Sequence, residues 1–109
     1  MQRYLNEGVG RVEGWLDARS AKVIAALGEY QAMQGIHGAV GEIGVHHGKL
    51  LVLLDLLKAK DEVSFAVDLF ENQEFNVDQS GLGDYSQLAR NLEKFSTGLD
   101  RVQIFKRNS

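Results

Sequence analysis

The chain has 109 residues, of which 44% are hydrophobic and 25% charged, the balance of one ordinary globular domain. Its formal net charge of −3 gives no electrostatic case for binding DNA or RNA, and the absence of cysteine excludes disulfides and thiolate chemistry. The first 15 residues lack the apolar core of a signal peptide, and the longest apolar run, 50–57, is too short to span a membrane. We therefore expect a cytoplasmic location and neither a nucleic-acid nor a membrane partner.

A helical pattern runs from about residue 11 to residue 33. Its apolar residues fall into two groups at helical spacing. The second group consists of Val23, Ile24, Leu27 and Tyr30. Ser20 is a candidate N-cap, so the pattern predicts either one helix or two. Trp15 and Tyr30 are predicted to be packing aromatics. Residues 1–34 are therefore assigned to an N-terminal helical segment.

Strands and helices alternate after residue 35. The segment "GAVGEIGV", 38–45, is typical of a short buried strand, and an apolar helix is predicted from 48 to 59. The segment "EVSFAVDLF", 62–70, is β-branched and aromatic, as expected of a second strand.

A third helix begins near Asp84, which is a suitable N-cap, and Gly98 is placed to end it. Its apolar stripe consists of Tyr85, Leu88, Leu92 and Phe95. The segment "RVQIF", 101–105, follows as a third strand. This alternation predicts an α/β fold, a Rossmann-like three-layer sandwich with a parallel sheet and right-handed crossovers.

Three glycines, Gly41, Gly44 and Gly48, lie at the junction of the first strand and the next helix. The phosphate loop of NTPases, G-x-x-x-x-G-K-[ST], does not fit, because Ile43 stands at its first glycine and Leu50 at its hydroxyl position. The dinucleotide pattern G-x-G-x-x-G also fails.

The segment "EIGVHHG", from Glu42 to Gly48, instead places an acidic residue before G-x-x-x-G at this junction. One helix later, Asp68 lies at the end of the second strand in "FAVDLF". In these motifs the chain resembles the class I S-adenosylmethionine-dependent methyltransferases, whose first motif is an acidic residue followed by spaced glycines after the first strand. The resemblance implies that residues 35–109 form the first half of an S-adenosylmethionine-binding Rossmann-like domain.

The resemblance implies S-adenosyl-L-methionine as cofactor and methyl transfer to a small-molecule acceptor as function. In the family, the acidic residue after the second strand hydrogen-bonds the ribose hydroxyls. The chemistry of the residues agrees, because glycine lets a backbone approach a bulky ligand and helix amides bind a carboxylate. A carboxylate likewise accepts hydrogen bonds from a vicinal diol. The predicted cofactor-binding residues are Glu42, Gly44, His47, Gly48, Asp68, Leu69 and Phe70.

His46 and His47 are unusual inside the family's glycine-rich loop. We expect adjacent histidines to point in different directions, and His37 is the only further candidate ligand evident nearby. The sequence therefore predicts no metal site.

The family's sheet has seven strands, and this chain supplies the first three, in the expected order 3-2-1. The first strand then lies at an edge, although its composition is that of a strand flanked on both sides. Because an exposed apolar edge recruits other strands, we expect either the N-terminal portion of a longer protein or a homo-oligomer formed through this edge. No acceptor site or general base is recognisable, so we expect cofactor binding rather than turnover by these residues alone.

Two alternative functions stay open. The first is another Rossmann-like nucleotide-binding enzyme, such as one that depends on NAD, against which the failed dinucleotide pattern argues. The second is a non-catalytic interaction module that presents the first strand's edge to a partner, since a fold does not determine a function.

Overall fold

The structure is a computed structural model, which describes residues 1–68 and 84–106. The chain begins with a π-helix, Tyr4–Gly8, and a 3-10 helix, Val9–Arg11. The elements that follow are α1 (Ala18–Met33), β1 (Val40–Ile43), α2 (Lys49–Leu57), β2 (Ser64–Asp68), α3 (Asp84–Phe95) and β3 (Val102–Lys106). None of the helices in these two ranges has the length and apolarity needed to cross a membrane.

The three strands form one parallel sheet in the order β1-β2-β3. This confirms the predicted α/β class with a parallel sheet. The helices lie against one face, where Ala66 of β2 is fully buried. On the other face Ile43, Phe65 and Phe105 are exposed. The described residues therefore form two layers, and the third layer of the predicted sandwich remains a prediction.

Helix α3 packs as its sequence predicts. Leu88 and Leu92 are fully buried, and Tyr85 and Phe95 lie partly buried against the same core. The core is completed by Leu51, Val52 and Leu53 of α2, so this short helix is buried on most of its faces.

Helix α1 buries a different face from the predicted one. The small residues Ala21 and Ala25 are buried, and Gly28 lies so close to Leu57 of α2 that an added Cβ would overlap the leucine methyls. Of the second apolar group, Ile24 is partly buried against the core, whereas Val23, Leu27 and Tyr30 are 55%, 60% and 60% exposed. The prediction of Tyr30 as a packing aromatic was wrong, because two helices at close approach select small residues, which a hydrophobicity pattern ranks below large ones.

The segment before α1 is not part of a continuous helix. Val12 has an extended backbone, and Asp17 rather than Ser20 is the N-cap, accepting a hydrogen bond from the Ser20 backbone N–H at 2.6 Å. Trp15 is fully exposed, so its prediction as a packing aromatic was wrong. The buried aromatic of this region is Tyr4, whose ring lies 5.4 Å from that of Phe95 between centroids.

Strand β1 is shorter and less buried than predicted. It occupies 40–43 of the predicted 38–45, because Gly44 turns the chain out of the strand with a φ of +79°. Ile43, on the face away from the helices, is 67% exposed. Strand β2 ends at Asp68, and the predicted strand residues 69–70 lie outside the described ranges.

A buried carboxylate joins α2 to the sheet and to the end of α3. Asp55 is 2% exposed and its Oδ1 accepts hydrogen bonds from Lys58 Nζ at 2.6 Å and from Ser64 Oγ at 2.5 Å. Its Oδ2 accepts hydrogen bonds from the Thr97 Oγ1 and backbone N–H. Burial alone would raise the pKa of Asp55, but the hydrogen bonds from Lys58, Ser64 and Thr97 outweigh burial and hold the pKa below its ordinary value. The carboxylate is therefore ionised and fully partnered.

Substitution Asp55→Ala is expected to lower the free energy of unfolding by about 3–5 kcal/mol, because it leaves the buried Lys58 ammonium without its partner. Urea denaturation followed by circular dichroism measures this loss. Exposed Asp61 provides the control, since Asp61→Ala should change stability by less than about 0.5 kcal/mol. Equal stability of the two variants would show that the Asp55 network does not stabilise the fold.

Candidate functional site

The predicted cofactor residues meet at the carboxyl ends of β1 and β2. The loop 44–48 leaves β1, and Asp68 is the last residue of β2. The Asp68 Oδ2 accepts a hydrogen bond from the His46 backbone N–H at 2.9 Å. The acidic residue and the glycine loop, which the sequence could only place at two strand ends, therefore belong to one site.

The two loop glycines are required for different reasons. Gly44 and Gly48 both have positive φ, +79° and +87°, a region that L side chains rarely adopt. A Cβ on Gly48 would collide with the Leu88 side chain of α3. A Cβ on Gly44 would meet no atom of residues 1–68 or 84–106 within 4 Å. Gly48 thus permits packing inside the protein, whereas the described residues leave space beside Gly44 that a ligand can enter.

Glu42, on β1 just before the loop, is a half-buried acid with an incomplete set of partners among the described residues. Burial is the main cause that raises its pKa, and the charge of Asp68 raises it further; a hydrogen bond from the Leu51 backbone acts in the opposite direction. The resulting pKa is about 7. The Oε1 atom has no hydrogen-bond partner among the described residues. Glu42 can therefore accept a hydrogen bond from a ligand or form an ion pair with a positively charged group of the ligand.

A cavity of about 190 Å³ opens beside the loop, lined by Glu42, Gly44 and His46 on one side. The residues that line its other side come from segment 13–16 and from the start of α2. That segment is held against the helix, since Lys49 Nζ donates a hydrogen bond to the Gly14 carbonyl at 3.4 Å.

Tyr4 fixes the first turn of α2, since its hydroxyl donates a hydrogen bond to the Lys49 carbonyl at 2.5 Å. Burial raises the pKa of the Tyr4 phenol, and the nearby Glu42 charge adds to this effect, so the phenol keeps its proton. Tyr4 does not line the cavity itself but holds in place the start of α2, which does.

The two loop histidines lie side by side, contrary to the expectation that they would point apart. Their rings stack with centroids 3.9 Å apart and planes inclined by 9°. The physical reason is the left-handed backbone of His46, with φ of +54°, because the expectation assumed an ordinary helix or turn. His47 Nδ1 also lies 3.5 Å from Glu13 Oε2, and the Asn91 side-chain amide donates a hydrogen bond to the His47 carbonyl at 2.8 Å.

Five of the seven predicted cofactor residues lie on this loop or at the two strand ends beside it. They are Glu42, Gly44, His47, Gly48 and Asp68. Leu69 and Phe70 lie outside the described ranges. Sequence reasoning missed Tyr4 and Glu13, which precede α1 in a segment whose pattern carries no motif.

A second groove, of about 390 Å³, lies between α1, the segment 36–40 before and at the start of β1, and the end of α2. Its lining is mostly apolar and includes Leu27, Ile36 and Leu57. The chemistry-bearing residues of the predicted site do not contribute to it.

Comparisons with protein-family models, with curated proteins and with solved structures find no match to this chain. The functional argument therefore depends on the geometry of the site.

Substitution Glu42→Gln is expected to raise stability at pH 8 and to leave it unchanged below pH 4.5. The folded-state pKa of about 7 exceeds the ordinary 4.5, so the fold disfavours the ionised acid, and the cost develops as the pH rises from 4.5 to 7. A gain of roughly 1–3 kcal/mol follows, measured as the Tm at pH 4 and pH 8.

Exposed Glu29 on α1 is the matched control, because Glu29→Gln should give the same Tm as the wild type at pH 8. A Glu42→Gln variant no more stable than the wild type at pH 8 would contradict the burial of a charge at this position.

Proposed function

We propose that this chain binds S-adenosyl-L-methionine at the carboxyl ends of β1 and β2 and forms the cofactor-binding part of a methyltransferase for small-molecule acceptors. The finer fold assignment, a Rossmann-like three-layer sandwich with the methyltransferase strand order, belongs to the same proposal. The observation that carries it is the hydrogen bond between Asp68 and the His46 amide. This hydrogen bond joins the acidic residue at the end of β2 to the glycine loop at the carboxyl end of the parallel sheet. Ligands of open α/β sheets bind at that end.

Three features of the site fit the cofactor. No described side chain lies near the Gly44 Cα, so a bulky nucleoside could approach the backbone there. The Glu42 Oε1 atom, which has no hydrogen-bond partner within 1–68 and 84–106, would supply an acceptor for the cofactor's ammonium group. The Asp68 carboxylate has the acceptors that a ribose diol requires.

The cavity of about 190 Å³ is smaller than the roughly 300–1,000 Å³ of small-molecule sites. It would accommodate only the part of the cofactor that lies against the loop. The adenosine end would extend past Asp68, which is not one of the residues that line this cavity.

The bound cofactor supplies an electrophilic methyl group on its sulfonium. The chain's own residues would orient it, with Asp68 and Glu42 holding its two polar ends. Methyl transfer depends mainly on an acceptor placed in line with the methyl group, and no described residue is assigned as a base or an acceptor site.

Calorimetric titration with S-adenosylhomocysteine is expected to show saturable binding to the wild type and binding at least about tenfold weaker to Gly44→Ala, a loss of about 1.4 kcal/mol. The new methyl group would occupy the space that the cofactor enters. Gly35→Ala is a matched control, because Gly35 has φ of +77°, its added Cβ would meet no described atom within 4 Å, and it lies between α1 and β1 rather than on the loop 44–48. Both alanine variants carry the same backbone strain of roughly 1–2 kcal/mol, so only Gly44→Ala should lose affinity.

A second pair of variants tests Asp68. Asp68→Asn keeps an acceptor for the His46 amide but removes the charge, and should also weaken binding at least about tenfold, whereas Asp61→Asn should have no effect. Equal affinity of Gly44→Ala and Gly35→Ala would contradict the proposal. Displacement of S-adenosylhomocysteine by NAD at similar concentration would favour the alternative nucleotide-binding enzyme.

The sheet face on which Ile43, Phe65 and Phe105 are exposed favours a second candidate function, a module that associates with a further chain. Strand β1 is at an edge of the described sheet, and Ile43, Phe65 and Phe105 expose apolar surface on one face. The rings of Phe65 and Phe105 stack 6.4 Å apart between centroids, so they form a continuous apolar patch. Because such edges and patches recruit partners, we propose a homo-oligomer formed through β1.

Light scattering over a range of concentrations is expected to show a dimer of the wild type, with association at least about tenfold weaker in Ile43→Lys, since edge lysines block strand pairing. Val23→Lys, an exposed apolar position on α1, is the control and should dimerise as the wild type does. A wild-type chain that stays monomeric at every concentration would rule out this interface. Loss of the dimer in Val23→Lys alone would place the interface on α1 instead.

A further inference from the structure

We propose that Glu13, His46 and His47 form a binding site for a zinc ion beside the loop 44–48. The site departs from the prediction, drawn from the sequence, that the chain binds no metal. It does not depend on the proposed cofactor, because its three donor groups need no other ligand. Two imidazoles and one carboxylate are a donor set that Zn²⁺ binds, with solvent completing the coordination.

The distances between the donor atoms suit one ion. One ligand atom from each of the three residues lies within 4.8 Å of the others. The His47 Nδ1 and Glu13 Oε2 atoms are 3.5 Å apart. Neighbouring ligands of a tetrahedral zinc ion are about 3.3 Å apart, as bonds of 2.0–2.1 Å require. This pair is therefore close to coordinating geometry already.

The backbone positions both imidazoles on one side of the loop. A left-handed conformation at a residue other than glycine costs roughly 1–2 kcal/mol, and the hydrogen bond from the His46 N–H to Asp68 helps to hold it. The Asn91 amide fixes the next carbonyl, that of His47. Strain of this kind concentrates at binding sites, where surrounding structure maintains it.

Binding requires a modest rearrangement of side chains. Stacked imidazoles direct their lone pairs side by side rather than to one point, so one ring has to turn. The His46 side chain is exposed and can do so, and the Glu13 side chain, 78% exposed, can move towards the ion. His47, with a side-chain exposure of 14%, is the fixed member of the set.

The ion would lie at the rim of the cavity that Glu13 and His46 help to line. Three protein ligands leave a coordination position for water or for an oxygen of a ligand in the cavity, as in open zinc sites. The inferred ligand of this site is thus a divalent cation with one exchangeable position.

Calorimetric titration of the untagged full chain with zinc chloride, without S-adenosylhomocysteine, tests the proposal. We expect saturable binding of one ion per chain. Glu13→Gln removes a ligand from an exposed position and should weaken binding at least about 100-fold, since changes to residues that only support ligands cost 10–100-fold. His46→Asn should do the same, because asparagine tolerates the left-handed backbone and removes the imidazole.

His37→Asn is the matched control, since His37 is exposed and outside the cluster, and it should bind zinc as the wild type does. Absence of saturable binding by the folded wild type would overturn the proposal, as would equal affinity of the wild type and Glu13→Gln.

Cobalt(II) gives a second measurement, because a tetrahedral cobalt site absorbs strongly in the visible region. We expect this absorption in the wild type and in His37→Asn, and its loss in Glu13→Gln and His46→Asn. A spectrum that is unchanged by both substitutions at the cluster would show that cobalt binds elsewhere. Because no cofactor is present in either measurement, failure of the metal proposal and failure of the cofactor proposal are separately visible.

Discussion

The buried Asp55 carboxylate is the interaction on which the arrangement of the elements depends. A charge without water is stable only when hydrogen bonds and an opposite charge surround it, and here these come from Lys58 just after α2, from the start of β2 and from the segment after α3. Lys58 completes the neutralisation and also donates to the Arg101 carbonyl beside β3. The amino ends of two strands are thereby tied to two helices. The functional residues lie at the opposite, carboxyl ends, whose spacing this connection helps to set.

The loop 44–48 is held from two directions. Asp68 of β2 binds the amide of His46, and Asn91 of α3 binds the carbonyl of His47. The Leu88 side chain of α3 packs against Gly48 and adds a steric restraint on the loop. A loop held in this way has little freedom to adapt, so its shape before binding is close to the shape a ligand meets. Preorganisation of this kind favours affinity, because little conformational entropy is lost on binding.

The helical periodicity of α3 and the residues at the strand ends were predictable from the sequence. The small residues at the contact between α1 and α2, and contacts between residues far apart in the chain, were not. The buried stripe of α3, which includes Leu88 and Leu92, was predicted correctly because the large apolar side chains on one face of the helix pack into the core. Helix α1 was misread because its contact with α2 selects small residues such as Ala25. Asp68 was predictable because it occupies a recognisable position of a sequence motif, the end of the second strand. The partners of Asp55 belong to no motif, since they come together only in the folded chain. The stacked histidines depend on one backbone angle, which no residue pattern specifies.

The exposed indole of Trp15 has a practical consequence. It is the chain's single tryptophan, it is fully accessible to solvent, and it lines the cavity beside the loop. Its fluorescence in the folded protein therefore starts from the emission of a hydrated indole and changes little when the chain unfolds. A molecule or ion that enters the cavity alters the surroundings of this one fluorophore directly. The fluorescence of Trp15 is therefore an intrinsic probe of whether the cavity is occupied. It is a poor probe of unfolding of the protein.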